Sequence, residues 1–312
     1  MTTEILRVED ISNSSKQKLI GLAFACIAVL IWSIYFLSLR FGALSSLNLE
    51  DLALFRYAIP GILLFPIFIK SIKDYKKVPI IYLLGITVGS GLAFFLLSAY
   101  GMQLTPVVYG STLVPGTTPL FVSLIAVVIY KQNLSYIRKY GLISIALGIV
   151  VMLIQAKSGS MLNTDLLLGQ GIFIFCALLW AFFTLSIRQA SLAPLKVAAL
   201  AAFPNAVIII IWTISTQEKF GYMDLEISEI ITQMLVQGIL VGIISGMCFA
   251  AAISRIGAET SAAIGAMTPA VATFIASISL NEQMNFSLIL AMFLIMIGVL
   301  LASGIFKSKK ES

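Results

Sequence analysis

Trp32-Ser-Ile-Tyr-Phe-Leu-Ser-Leu-Arg40 is answered 148 residues later by Trp180-Ala-Phe-Phe-Thr-Leu-Ser-Ile-Arg188. Thr118-Pro119 returns as Thr268-Pro269, and Gly148 as Gly298, both at a spacing of 150. All of these residues lie in or beside long apolar runs. Self-similarity at a nearly fixed spacing across most of a chain marks one structural unit written twice. In a membrane, duplicated halves place a site for solutes where they meet.

Composition supports the membrane. The chain is 60% hydrophobic and 11% charged, whereas a soluble domain is about 45–50% apolar and about 25% charged. A bilayer core needs about 20 apolar residues per helix. Ten stretches of that kind are expected at 19–39, 52–69, 79–99, 107–129, 137–154, 168–187, 195–214, 232–253, 260–280 and 287–306. The breaks carry charges or turn formers, as at Lys70–Lys77 and Lys131–Lys139, and Pro194 suits a helix start. The opening residues lack the apolar core and cleavage site of a signal peptide, so the first helix is expected to be retained.

Charge sets the expected orientation. With the N-terminus inside, sixteen of the twenty Lys and Arg residues fall on inner segments and three on outer loops; Arg56 lies within the second span. That bias predicts a multi-pass protein of the cell (cytoplasmic) membrane with both termini cytoplasmic. Five spans is an odd number, so the second copy enters from the opposite side. The fold expected is an all-α membrane protein of ten transmembrane helices, arranged as two inverted five-helix repeats. Its parts are a cytoplasmic tail at 1–18, repeats at 19–154 and 168–306, an external linker at 155–167, and a cytoplasmic tail at 307–312.

Counting 1.5 Å per residue along each span puts the unusual residues in one slab. Thr118 and Ala270 mark the centres of spans four and nine, so both Thr-Pro pairs sit at mid-depth. Trp32 and Trp180 lie about 4–5 Å from their span centres. Tryptophan normally gathers at the interfaces. Tyr35 and Thr184 share helical faces with these tryptophans through the three-and-four spacing rule. Ser90 and Ser245 add hydroxyls in glycine-rich centres of spans three and eight. Pro119 and Pro269 are expected to kink their helices and free backbone carbonyls. Tyr100, with Tyr109 and Ser111, is placed at the outer mouth. Together these residues make a candidate substrate pocket, although helix packing alone would also use glycine, serine and proline. Arg56 is the one ionisable residue well inside a span, with substrate contact or anchoring by snorkelling as its two readings and Asp51 as a candidate partner. Glu259 and Glu282, at the ends of span nine, read as solvated loop residues.

Some chemistry is excluded. The chain has no histidine, and Cys26, Cys176 and Cys248 have no metal-ligand spacing, so they read as packing residues. No Asp or Glu occupies a span centre, so no carboxylate proton relay is visible. An intramembrane enzyme would need a nucleophile, metal ligands or paired carboxylates at depth. No cofactor or metal is expected. The net charge of +6 is scattered among loops and reports orientation, not nucleic acid.

The residues also carry a family pattern. Ala258-Glu-Thr-Ser-Ala-Ala-Ile-Gly-Ala-Met-Thr-Pro-Ala270, Leu280-Asn-Glu282, Leu54-Phe-Arg56-Tyr57 and Thr118-Pro-Leu-Phe121 resemble the EamA-type permeases of the drug/metabolite transporter superfamily, over roughly Leu19 to Phe306. Where that family often has a glutamate in the first copy, this chain has Gln132. The resemblance implies a cavity between the halves that opens alternately to each side. The leading expectation is a permease or exporter for a small metabolite, first an amino acid or similar zwitterion, because the mid-depth set is aromatic and hydroxylic. Efflux of drugs or hydrophobic cations is the alternative, and would favour an acidic counter-charge in the cavity. A structural or receptor-like membrane protein would have no need of inverted duplication. The expected partners are a small-molecule substrate and the lipid bilayer; a homo-oligomer is compatible with these spans.

Overall fold

A chain this apolar must satisfy its backbone polar groups internally, and helices do so segment by segment. The computed structural model of the protein describes residues 2–129, 131–158, 161–216 and 220–303, the side chains of 2–14, 157–158, 161 and 258–259 excepted. The expected tail at 307–312 lies outside the described residues. Nine helices among them are long and apolar enough to cross a membrane, and a tenth apolar helix is shorter. They are span one (Ser15–Leu44), two (Leu49–Lys70), three (Ile80–Leu104), four (Val107–Val128), five (Tyr136–Ile154), six (Thr164–Ala190), seven (Pro194–Thr216), eight (Ile227–Gly257), nine (Thr260–Ser279) and ten (Phe286–Ala302). The helix of span one begins at Thr2. A two-residue antiparallel pairing, Lys157–Ser158 with Met161–Leu162, closes the linker after span five.

The halves are inverted copies, and their packing carries the two-fold. Span one packs on span eight as span six packs on span three; spans one and nine meet as do six and four. Span two against eight is matched by seven against three, and spans two and seven, four and nine, and five and ten each meet their own equivalent. The five–ten seam displays the operation residue by residue. A Cβ on Gly298 would stand 2.6 Å from the Gly141 carbonyl oxygen, and one on Gly148 would stand 2.8 Å from that of Ala291. Ser144 donates to the Leu294 carbonyl oxygen at 2.7 Å. A shift of 150 residues turns the Gly298–Gly141 contact into the Gly148–Ala291 contact and Ser144 into its own partner Leu294, so the pseudo-axis passes through this seam. Glycine is needed on it because the backbones themselves touch.

Loop contacts sort the span ends into two groups. Arg40, Met102, Val107 and Glu282 meet at one end, where Gly221 also meets Asp51. At the other, Lys196 pairs with Asp74 at 2.6 Å. These groups are the ends that alternating crossings assign to opposite sides, called outer and inner below.

Three spans depart from simple helices. Span three, expected to stop at 99, runs to Leu104 and breaks at mid-depth after Gly89. Asn205 of span seven repairs that break: its Oδ1 accepts from the Leu92 N–H at 2.8 Å while Nδ2 donates to the Thr87 carbonyl at 2.9 Å. Tyr57 donates to the Ser90 carbonyl at 2.9 Å. Span eight winds as a π-helix over Met234–Ile244. Span nine is interrupted at Ala266–Met267 and resumes at Thr268. Pro269 therefore does not kink a continuous helix as expected; it sits in the first turn of a new one, where its missing N–H costs nothing. Pro119 does lie inside an unbroken helix, together with Pro115.

Candidate functional site

Spans one, three, six and eight bring the two tryptophans to equivalent environments. Trp32 packs on Phe249 of the other half, ring centroids 4.9 Å apart and tilted 57°. Trp180 packs on Phe94, at 5.2 Å and 40°, and on Phe183 of its own helix at 4.8 Å. Both cross-half pairs have the offset, tilted geometry that aromatic quadrupoles favour. Phe94 and Phe249 were not among the expected residues, yet a signal for them was present. Ser90-Gly-Leu-Ala-Phe94 and Ser245-Gly-Met-Cys-Phe249 repeat Ser-Gly-x-x-Phe at a spacing of 155. Duplicated tryptophans thus meet duplicated phenylalanines across the pseudo-axis.

The expected hydroxyls are placed differently. Thr118 donates to the Val114 carbonyl at 2.8 Å, Ser90 to Ile86 at 3.1 Å, Ser245 to Val241 at 2.9 Å, Thr184 to Trp180 at 2.8 Å and Thr268 to Gly265 at 2.8 Å. Each proton is spent on a backbone carbonyl three or four residues earlier, as serine and threonine in apolar helices tend to do, leaving only lone pairs for a solute. Unpartnered buried polar atoms lie elsewhere among the described residues: the hydroxyls of Thr112 and Thr117 in span four and of Thr273 in span nine, Oε1 of Gln170 in span six and of Gln237 in span eight, and Oδ1 of Asp51. Tyr100 is 40% exposed near the outer end of span three and joins none of the ring pairs among the described residues. Tyr35 is buried in a polar cluster with Arg56, Tyr57, Ser98 and Cys176.

Arg56 corrects one expectation. It does not reach Asp51, whose Oδ2 accepts from the N–H groups of Asn48 at 3.2 Å and Gly221 at 2.8 Å. Nor does it snorkel outward. Its Nη1 donates to the Gln237 carbonyl at 3.4 Å, in the π-helical stretch, and would lie 3.0 Å from a Cβ at Gly242, the middle residue of span eight.

Glu282 corrects another. Instead of being solvated, its side chain is 13% exposed and pairs with Nε of Arg40 at 3.3 Å. Its Oε2 accepts from the Val107 N–H at 2.8 Å, while Nη1 of Arg40 donates to the Met102 carbonyl. Burial pushes the Glu282 carboxyl above the usual carboxylate range, against the pull of the Val107 N–H and of Arg40. This knot joins spans one, three, four and nine at the outer end. The inner counterparts, Arg188 and Gln132, are exposed, and Arg188 stands within electrostatic reach of Arg138 instead of a carboxylate.

Two open grooves with mostly apolar linings lie on the surface of the bundle. One of about 530 Å³ is lined by Leu97, Thr164, Phe175 and neighbours, and one of about 260 Å³ by Gly61, Phe65, Phe203 and neighbours. Neither is lined by any expected site residue.

The EamA-like transporter family model matches residues 19–154 and again 167–304. The chain belongs to the EamA-like transporter family. This EamA-like protein is thus a multi-pass membrane protein of a transporter family. No curated protein matches the EamA-like chain. Among the solved structures that share its fold, one crystal structure matches with a TM-score of 0.60 and 18% identity over 92% of this chain and 96% of that one.

Proposed function

We propose that this EamA-like protein is a secondary transporter that moves a small metabolite, an amino acid or similar zwitterion, across the cytoplasmic membrane by alternating access. The observation that carries this reading is the pair of cross-half contacts, Trp32 on Phe249 and Trp180 on Phe94. Two equivalent aromatic contacts astride a pseudo-axis let the halves rock while keeping a similar surface toward a solute, whichever side is open. The breaks in spans three and nine and the π-helix of span eight all lie close to that level, where irregular backbone is tolerated only beside protein or a water-filled cavity. Ion pairs tie the two halves at both ends, Arg40 with Glu282 outside and Lys196 with Asp74 inside, and alternating access loosens one end at a time. The Lys and Arg bias favours cytoplasmic termini.

The test is uptake by proteoliposomes of labelled metabolites, with and without an imposed pH gradient. Saturable movement of at least one zwitterion is expected. Movement of hydrophobic cations alone would replace this reading with drug efflux, and failure to move any solute would overturn transport.

A further inference from the structure

The geometry points to Arg56 as the group that reads a carboxylate on the transported solute, held at mid-depth in an otherwise uncharged cluster. The inference rests on the transport reading above and names its substrate class. Arg56 starts on the second turn of span two, but its guanidinium runs toward the bilayer centre. Nη1 approaches the Cα of Gly242, the middle residue of span eight, and the Cβ that any other residue would carry there would lie 3.0 Å from both Nη1 and the Pro60 ring. The absent side chain makes room for a cation where a cation is least stable.

What surrounds it is neutral. None of the ion pairs among the described residues includes Arg56. Asp51, five residues away, gives Oδ2 to backbone N–H groups, and its buried Oδ1 does not reach Arg56. The neighbours are the Gln237 carbonyl, a single long hydrogen bond at 3.4 Å, the Tyr57 ring, 5.4 Å from its centroid, and Tyr35 with Ser98 close by. A guanidinium has five N–H donors in a planar fork, and one carbonyl leaves most of them unspent. Charged side chains within membrane spans are ordinarily paired, so the missing partner is an anion that arrives from outside the chain.

The chemistry narrows which anion. One positive charge with neutral hydroxyls balances one negative charge, so a carboxylate suits it better than a doubly charged phosphate ester. The guanidinium fork matches the two carboxylate oxygens. Tyr35 stands one turn from Trp32 on the same face, so a solute anchored at Arg56 extends toward the Trp32–Phe249 pair. The class inferred is a small carboxylate with an apolar or aromatic body.

The experiment uses the full chain in detergent and matched acids and amides: phenylalanine with phenylalaninamide, leucine with leucinamide, and 3-phenylpropionate with 3-phenylpropanamide. Acids are expected to raise the melting midpoint and amides to leave it unmoved. Arg56→Gln should weaken the acids at least tenfold, and Arg56→Lys should keep part of the effect, having the charge without the fork. Should Arg56→Gln not fold, Gly242→Ala crowds Nη1 without removing the charge and should also weaken the acids. Equal shifts from acids and amides, no shift from either set, or acids unaffected by the variants overturn the assignment. Uptake of acid and amide at equal rates overturns it while leaving transport intact; acid-selective binding without uptake overturns transport alone.

Discussion

Trp32 and Trp180 are far from where tryptophan is most stable in a bilayer, the interface at which its N–H meets water. Each is half-buried against a phenylalanine that the opposite half supplies. A packing role and a binding role therefore separate by experiment. If the rings form the solute surface, Trp32→Ala and Trp180→Ala each lower initial uptake roughly tenfold, since losing an aromatic anchor forfeits about 1–2 kcal/mol. Insertion and yield should stay near wild type. Full transport in both variants would remove these rings from the pocket. Thr118, Thr268, Ser90, Ser245 and Thr184 are expected to matter less, because their protons already serve nearby backbone carbonyls.

Among the elements, the outer ends of spans one, three, four and nine act together through Glu282. Replacing it by alanine strips acceptors from Arg40 and from the Val107 N–H. A partly buried donor left unpaired costs about 1 kcal/mol, roughly a fivefold shift toward outer opening. A cysteine placed at Met102, buried beneath Arg40, should react correspondingly faster with an impermeant maleimide; an unchanged rate would deny the knot a gating role. The pH dependence has a definite sign. Burial raises the Glu282 carboxyl above its exposed value, so the closed outer state binds the proton more tightly than an open one does. Acidification between the ordinary and the raised value therefore favours closure and slows the same labelling by more than the loss of cysteine thiolate alone does. In Glu282→Gln only the thiolate's own pH dependence should remain.

At the scale of the whole molecule, the two halves are held by seams where equivalent spans meet, and five–ten is the tightest in backbone approach. Gly298→Val would drive a side chain into the Gly141 carbonyl. Overpacking of that kind costs about 1–3 kcal/mol, so a lower melting midpoint in detergent is expected. A midpoint equal to wild type would mean that the seam yields. Ser144, whose hydroxyl spans the seam to Leu294, ties the same pair of spans near the pseudo-axis.

Hydropathy and charge are properties of single segments, so span number, alternation and inversion were readable from the residues alone. The repeats at 148 and 150 identified which spans are equivalent, and Ser-Gly-x-x-Phe at 155 carried the partners of the tryptophans. Pairings that depend on where side chains turn were not readable. Arg56 and Asp51 are neighbours in sequence, yet Gly242 and Gly221, from another half of the chain, send one toward mid-depth and the other to a loop. Glu282 follows a helix end and reads as solvated, but span one brings Arg40 over it. Local sequence fixes which groups enter the membrane; only the packing of distant spans decides which of them are desolvated together, and that decides their chemistry.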